Sequence, residues 1–118
     1  MDMSSKKTGD CGEALACTYL EQKGLILLER NFRSGRKEID LVMRDGETLV
    51  FVEVKTRSGV LLGTPAEAVD RKKQSNLILA AEGYLAAHNG FECPARFDVV
   101  EVYLDKQRIH WIPNAFTL

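Results

Sequence analysis

Between Lys37 and Lys55 the chain carries two strongly apolar runs on either side of Asp45-Gly46, with charged residues at every second position along their outer ends. An Asp-Gly pair between such runs is a strong short-range hairpin signal. A two-residue loop at Asp45-Gly46 sets Val42 against Leu49, Asp40 against Phe51 and Glu38 against Glu53. Side chains alternate faces along a strand. Glu38, Asp40, Glu53 and Lys55 are therefore expected on one face, and Ile39, Leu41, Val50, Val52 and Val54 on the other. Asp40 and Glu53 come out as diagonal neighbours, roughly 7–8 Å apart at the backbone.

The flanking patterns supply the other elements. Residues 1–8 read as a mobile tail with nothing apolar to bury. Ala14, Leu15, Ala16, Tyr19 and Leu20 form a helical stripe. It opens at Asp10, with Glu13 as its capping-box partner, and ends at Gly24. Leu25–Arg33 reads as a strand, and 56–63 as a polar, Gly-containing loop. Thr64-Pro65-Ala66-Glu67 has the full form of a helix start, predicting a helix to Ala87. Its apolar stripe is Ala68, Leu77, Ala80, Ala81, Tyr84 and Leu85, and Asn89-Gly90 ends it. Strands Phe97–Leu104 and Arg108–Ile112 follow around a turn at Asp105–Gln107. Pro113–Leu118 is left as a C-terminal tail whose Phe116 and Leu118 dock on the core or on another subunit. The order α-β-β-β-α-β-β, with a strand–helix–strand crossover, predicts one α/β domain over residues 9–112, a mixed five-stranded sheet flanked by helices.

Bulk properties narrow the chemistry. A chain of 118 residues, 45% hydrophobic and 28% charged, is long enough to bury a core without staples. Cys11, Cys17 and Cys93 form no CxxC pair, so neither a disulfide framework nor a zinc cluster is implied. With two histidines, His88 and His110, a His-rich metal site or a Ser-His-Asp triad is not expected. No run has the length of a membrane span or a secretory leader, so the expected location is the cytoplasm, with no membrane partner. The net charge of −1 argues against an indiscriminate nucleic-acid field. The basic residues are nonetheless clustered. Arg30, Arg33, Arg36 and Lys37 precede the hairpin, Arg57 ends it, and Arg71, Lys72 and Lys73 follow. As solvated surface such runs are unremarkable; beside the hairpin they fall where phosphate contacts would be wanted.

The hairpin charges define the candidate site. Asp40 and Glu53 on one face can converge on a small cation, and Mg²⁺ accepts one or two carboxylates while keeping waters. The Val54 carbonyl completes the protein donors, and Lys55 is placed to hold water or a phosphate oxygen. Glu-x-Lys alone is also common on exposed strand faces, where it discourages aggregation. Asp40 on the same face turns the pattern toward metal-assisted phosphodiester hydrolysis.

The segments GDCGEALACTYL, ERNFRSGRKEIDLV, LVFVEVKTRS, GTPAEAVDRKKQ and RFDVVEV together resemble the PD-(D/E)xK nuclease superfamily. The layout is most similar to its Holliday junction resolvase-like branch, and the chain as a whole is similar to the YraN family of small bacterial proteins. The resemblance runs from about Gly9 to Tyr103. It implies a restriction-endonuclease-like core, Mg²⁺ or Mn²⁺ at Asp40 and Glu53, and Lys55 assisting the water or the transition state. It adds Glu13 from the first helix as a further catalytic carboxylate, Gln74 as a polar helix residue beside the site, and Arg96 with Asp98 as a late strand motif. Ile39 stands where the superfamily pattern has proline. Arg33, Arg36, Arg57, Arg71, Lys72 and Gln74 become the expected nucleic-acid contacts.

Three functions follow as expectations. The first is a metal-dependent DNA endonuclease acting on branched or damaged DNA, with a homodimer matching the symmetry of a four-way junction. The second is a nucleic-acid-binding module without cleavage; the third is a protein-interaction adaptor on the same fold. The acid–acid–lysine set favours the first, because carboxylates facing phosphates repel them unless a metal intervenes.

Overall fold

The computed structural model describes residues 5–57, 70–88, 92–105 and 107–116. Helix α1 spans Ser5–Gln22, so helix extends back into the segment expected as a tail. Asp10 and Glu13 lie within the helix rather than at its N-cap. The expected capping-box role of Glu13 is thereby overturned, and its carboxylate is free for tertiary contacts. The C-terminus of α1 closes as the sequence suggests. Gly24 has φ +100°, Gly24 N–H donates to the Glu21 carbonyl at 3.0 Å, and Leu25 N–H donates to the Leu20 carbonyl at 3.1 Å. That pairing is a Schellman motif, accompanied by burial of Leu20 and Leu25 in one cluster.

Strands β1 (Ile26–Ser34), β2 (Lys37–Asp45) and β3 (Thr48–Arg57) follow, then α2 (Arg71–Ala87), β4 (Ala95–Tyr103) and β5 (Arg108–Phe116). They form a mixed sheet in the order β1-β2-β3-β4-β5. Only the β3–β4 pair is parallel, as a crossover through a helix requires. Because α2 follows β3 and precedes β4, its N-terminal end lies at the C-terminal ends of those strands. Open α/β sheets bind ligands at that end.

Asp70 is the N-cap of α2, its side chain accepting from Lys73 N–H at 2.8 Å. The start predicted at Thr64-Pro65-Ala66-Glu67 lies outside the described residues, as do Ala68 and Asn89-Gly90, and α2 itself begins seven residues beyond Thr64. Leu77, Ala80, Ala81, Tyr84 and Leu85 do form its buried face.

The β2–β3 turn departs from expectation by two residues in register. Asp45 pairs with Thr48 and Val42 with Phe51, so the loop is Gly46-Glu47. Gly46 has φ +61° while Glu47 does not enter the positive region, the pattern of a type II′ turn with glycine first. A two-residue shift preserves faces but changes partners. The ladder ends at Leu41–Val52, and one step further brings Asp40 opposite Glu53, not diagonal to it.

The face assignment is corrected at one residue. Leu41, Val50 and Val52 join the α1-side cluster, with Val54 packed against it, whereas Ile39 joins the α2-side cluster. Alternation along β2 therefore breaks at Asp40. Across from it on β1, between the pairs Arg30–Leu41 and Phe32–Ile39, Asn31 has φ +53°, a left-handed conformation that asparagine tolerates.

The α2-side core is tied together by aromatics. Phe32 and Phe51 meet Tyr84 edge-on at 5.1 and 5.8 Å, and Phe51 contacts Phe97, which stacks on Phe116 at 4.6 Å. Phe116 is thus part of the sheet rather than of a tail, and β5 continues four residues beyond Ile112. Pro113 is tolerated because β5 is an edge strand. The bend is held by Asp98, fully buried. It accepts from Arg96 Nε at 3.0 Å, Trp111 Nε1 at 2.9 Å and Asn114 N–H at 2.9 Å. Arg96 and Asp98, expected as a late strand motif, form an ion pair.

Asp98→Ala leaves the indole N–H and an amide without their acceptor and Arg96 with Asp45 as its remaining partner. A loss of about 3–5 kcal/mol is expected, read as a lower urea midpoint with unchanged slope.

Candidate metal and phosphate site

The site lies where β2 and β3 part. Asp40 does not continue the backbone ladder; its Oδ2 accepts the Val54 N–H at 2.8 Å. In a strand the N–H and C=O of one residue point to the same neighbour, so the Val54 carbonyl is directed to the same side as its Asp40-bound amide. Glu53 is 5% exposed, and its Oε2 lies 3.2 Å from Lys55 Nζ and 3.4 Å from Lys73 Nζ.

Glu13 reaches the same place from α1. Gly12 is buried, and a Cβ there would run into the Thr56 side chain, so the missing side chain lets α1 approach β3 closely enough to bring Glu13 beside Asp40. Glu13 Oε1 is buried without a hydrogen-bond partner, and its nearest cation, Arg30 Nη2, stands 3.7 Å away. Burial holds the Glu13 carboxyl above its usual range, against the pull of Arg30.

Asp40 is the most perturbed group of the site. Burial, then the Glu53 charge, push its carboxyl up to about 8, opposed by the Val54 amide. Burial and a like charge both disfavour an ionised carboxylate; a cation placed between the two acids would remove the second cause. Among the described residues, no three His, Cys, Asp or Glu side chains are gathered as a ready metal cage. Two carboxylates and a carbonyl, with the remaining positions open to water, fit the way proteins hold Mg²⁺.

The expected catalytic residues Glu13, Asp40, Glu53 and Lys55 thus come together from α1, β2 and β3. The expected nucleic-acid contacts divide. Arg71 and Lys72 are exposed on the first turn of α2, next to Lys73, and Gln74 follows them, half-buried. Arg36 is exposed in the β1–β2 turn. Arg33, also exposed, is engaged by Glu38 at 3.1 Å. Arg57 lies 3.4 Å from Glu101. Two cations at the carboxylates, Lys73 and Arg30, were visible only as members of basic runs. The signal for Lys73 was Asp70 three residues earlier, a local cap masked by the stronger Thr64-Pro65 pattern.

Comparison with known proteins matches residues 12–102 to the uncharacterised protein family UPF0102. The chain belongs to this family. The resemblance to YraN proteins is a resemblance to UPF0102 members. A UPF0102 protein of Clostridioides difficile strain 630 is 44% identical over 114 residues, covering 97% of this chain and all of the relative. One from Geobacter metallireducens is 47% identical over 120 residues, covering 100% and 98%. One from Chlorobium chlorochromatii is 50% identical over 99 residues, covering 84% and 76%. In this UPF0102 chain no helix among the described residues is long and apolar enough to cross a membrane.

The raised Asp40 pKa carries a pH signature. The folded state binds a proton that the unfolded state releases near pH 4, so stability present at low pH is lost as pH rises from about 4 to about 8. Asp40→Asn keeps an acceptor for the Val54 amide and removes the charge. In thermal melts with a chelator, the variant is expected to exceed the parent by roughly 5 °C or more above pH 8. That advantage disappears below pH 4.

Proposed function

We propose that this chain is a Mg²⁺- or Mn²⁺-dependent endonuclease hydrolysing phosphodiester bonds in DNA, with branched or damaged structures as its substrate class. The observation that carries this reading is the facing of Asp40 and Glu53 at a break in the sheet. Lys55 and Lys73 share one Glu53 oxygen there, and a Glu13 oxygen is buried and unpaired. Stability alone does not call for such a group, since like charges on neighbouring strands repel.

Asp40, Glu53 and the Val54 carbonyl are the residues that would hold the ion. Bound there, it supplies Lewis-acid polarisation of the phosphate and a water of lowered pKa. Lys55 donates to the attacking water or to a non-bridging phosphate oxygen and balances charge that builds up as the bond forms. Lys73, arriving from α2, offers a second ammonium to the same phosphate. Glu13 Oε1 is available to accept a hydrogen bond from water and so to orient it. Arg71 and Lys72 extend the positive rim, where backbone contacts set orientation without reading sequence.

The setting we propose is the cytoplasm, where Cys11, Cys17 and Cys93, all free, would stay reduced. A symmetric pair of chains would match the two equivalent strands of a four-way junction.

The test is cleavage of labelled four-way junction, flap, single-stranded and duplex DNA with Mg²⁺ or Mn²⁺. Glu53→Gln, Asp40→Asn and Lys55→Ala are each expected to lose roughly a hundredfold or more in rate while keeping the parent circular dichroism spectrum. Equal cutting by parent and variants, or no cutting of any substrate by folded parent with metal present, overturns the proposal.

A further inference from the structure

Beyond Glu53 the α2-side face of the sheet carries a second charged group. The parallel register sets Lys55 beside Glu101 and Arg57 beside Tyr103, and the antiparallel register then sets His110 beside Glu101 and Arg108 beside Tyr103. Glu101 is 1% exposed. Arg57 Nε lies 3.4 Å from its Oε2 and His110 Nδ1 3.5 Å from its Oε1. A buried ion pair is weak support for stability, because apolar residues of similar volume usually do as well or better.

The pair is also left incomplete. Four buried side-chain polar atoms among the described residues lack a hydrogen-bond partner. One is Glu13 Oε1 in the carboxylate site; the other three are Arg57 Nε, Glu101 Oε1 and the Tyr103 hydroxyl. These three fall in one cluster and face one another: Arg57 and His110 stand at long ion-pair distance from Glu101, and Glu101 acts on the Tyr103 hydroxyl, so the cluster is held loosely rather than by tight hydrogen bonds. The Arg57 side chain is nevertheless 38% exposed; since its Nε is buried, that exposure lies on its other atoms. Arg108 is exposed beside it, close enough to Tyr103 to act on the phenol together with Arg57.

We infer that Arg57 and Arg108 form a subsite for a second backbone phosphate of the nucleic-acid strand whose reacting phosphate lies at Asp40 and Glu53. The inference rests on the nuclease reading for the position of that first phosphate. Lys55 and Arg57 are two residues apart on β3, a separation of roughly 6.6 Å, comparable to that of successive phosphates along one strand. Glu101 acts as the anchor. It holds Arg57 upright through the buried end of the guanidinium and leaves the rest to the ligand, as a pre-organised fork suits phosphate. The strand would then run from the N-terminal end of α2 across β3 toward the β5 edge, away from Arg33.

The experiment is fluorescence anisotropy of a labelled single-stranded oligonucleotide across a salt series. Ca²⁺ is present, so that the carboxylates have a hard cation available. Arg57 cannot be removed alone without stranding Glu101 in the interior. The variants are therefore Arg57→Gln combined with Glu101→Gln, and the exposed, fold-neutral Arg108→Gln. Lys23→Gln, at the far end of α1, is the control. Each test variant is expected to reduce the slope of log K against log salt by about 0.7, with the control unchanged. If the parent binds and both test variants keep its slope, the subsite is overturned while the nucleic-acid reading stands. If the folded parent shows no affinity at low salt, the subsite is overturned, and the nuclease reading is decided separately by cleavage of junction and flap DNA.

Discussion

The hydrogen bond from the Val54 amide to the Asp40 carboxylate is the interaction on which the site depends. A hairpin of this length would ordinarily continue its ladder, each amide finding a carbonyl on the neighbouring strand. Here a side chain supplies the acceptor instead. The break in alternation at Asp40 and the left-handed Asn31 across from it are the backbone adjustments that accompany the exchange. They open a gap between β2 and β3 without leaving the Val54 N–H unsatisfied. Into that gap come Glu53 from β3 and Glu13 from α1.

Three carboxylates in one gap are held by position rather than by mutual attraction. Lys55 and Lys73 both lean on Glu53, and Arg30 stands off Glu13. Three cations facing three acids balance the formal charge, yet the distances do not amount to full pairing. Asp40 has no cation among those pairs, and burial, then the Glu53 charge, raise its proton affinity. Such a centre responds to what enters it. A cation between Asp40 and Glu53 would free both lysines from Glu53, and a phosphate would give them new partners. The close seat of α1 on Thr56, possible because residue 12 is glycine, keeps Glu13 within reach while this happens.

Most of this frame was legible in the chain. Strand period, the Asp-Gly turn and the Leu20–Gly24–Leu25 ending of α1 are local signals, and local signals survived. The closeness of Asp40 and Glu53 was also legible, although the break in alternation at Asp40 brings it about as much as strand parity does. The turn itself moved by one residue for a local reason, because glycine, not aspartate, takes the positive-φ position. The other failures were decided elsewhere in the fold. Glu13 looked like a capping residue because the helix that continues before it carries no apolar stripe there to announce itself. The fate of Phe116 depended on Phe97, nearly twenty residues earlier, and on the Asp98 hub that bends β5 around Pro113; neither contact has a signature in the tail. The separation between Ile39 and Leu41 coincides with left-handed Asn31 in the neighbouring strand, which no periodicity reveals.

The buried acids can be sorted by how completely they are satisfied. Asp98 accepts from a guanidinium, an indole and a backbone amide, so its lone pairs are occupied by groups of the chain itself. That is the profile of a structural carboxylate, and it explains a motif-like Arg-x-Asp without invoking chemistry. Glu13 and Glu101 each keep a buried oxygen that meets a cation only at long range and has no hydrogen-bond partner, while Asp40 satisfies an amide yet lies beside the Glu53 charge. Asp98 and Glu101 show the two profiles on one strand at comparable burial, so burial alone does not separate scaffold from site. Unused bonding capacity does, because a fold gains nothing from leaving it open. Among the described residues it is concentrated at the end of the sheet where β3 and β4 terminate, where side chains from α1, β2, β3 and the first turn of α2 converge.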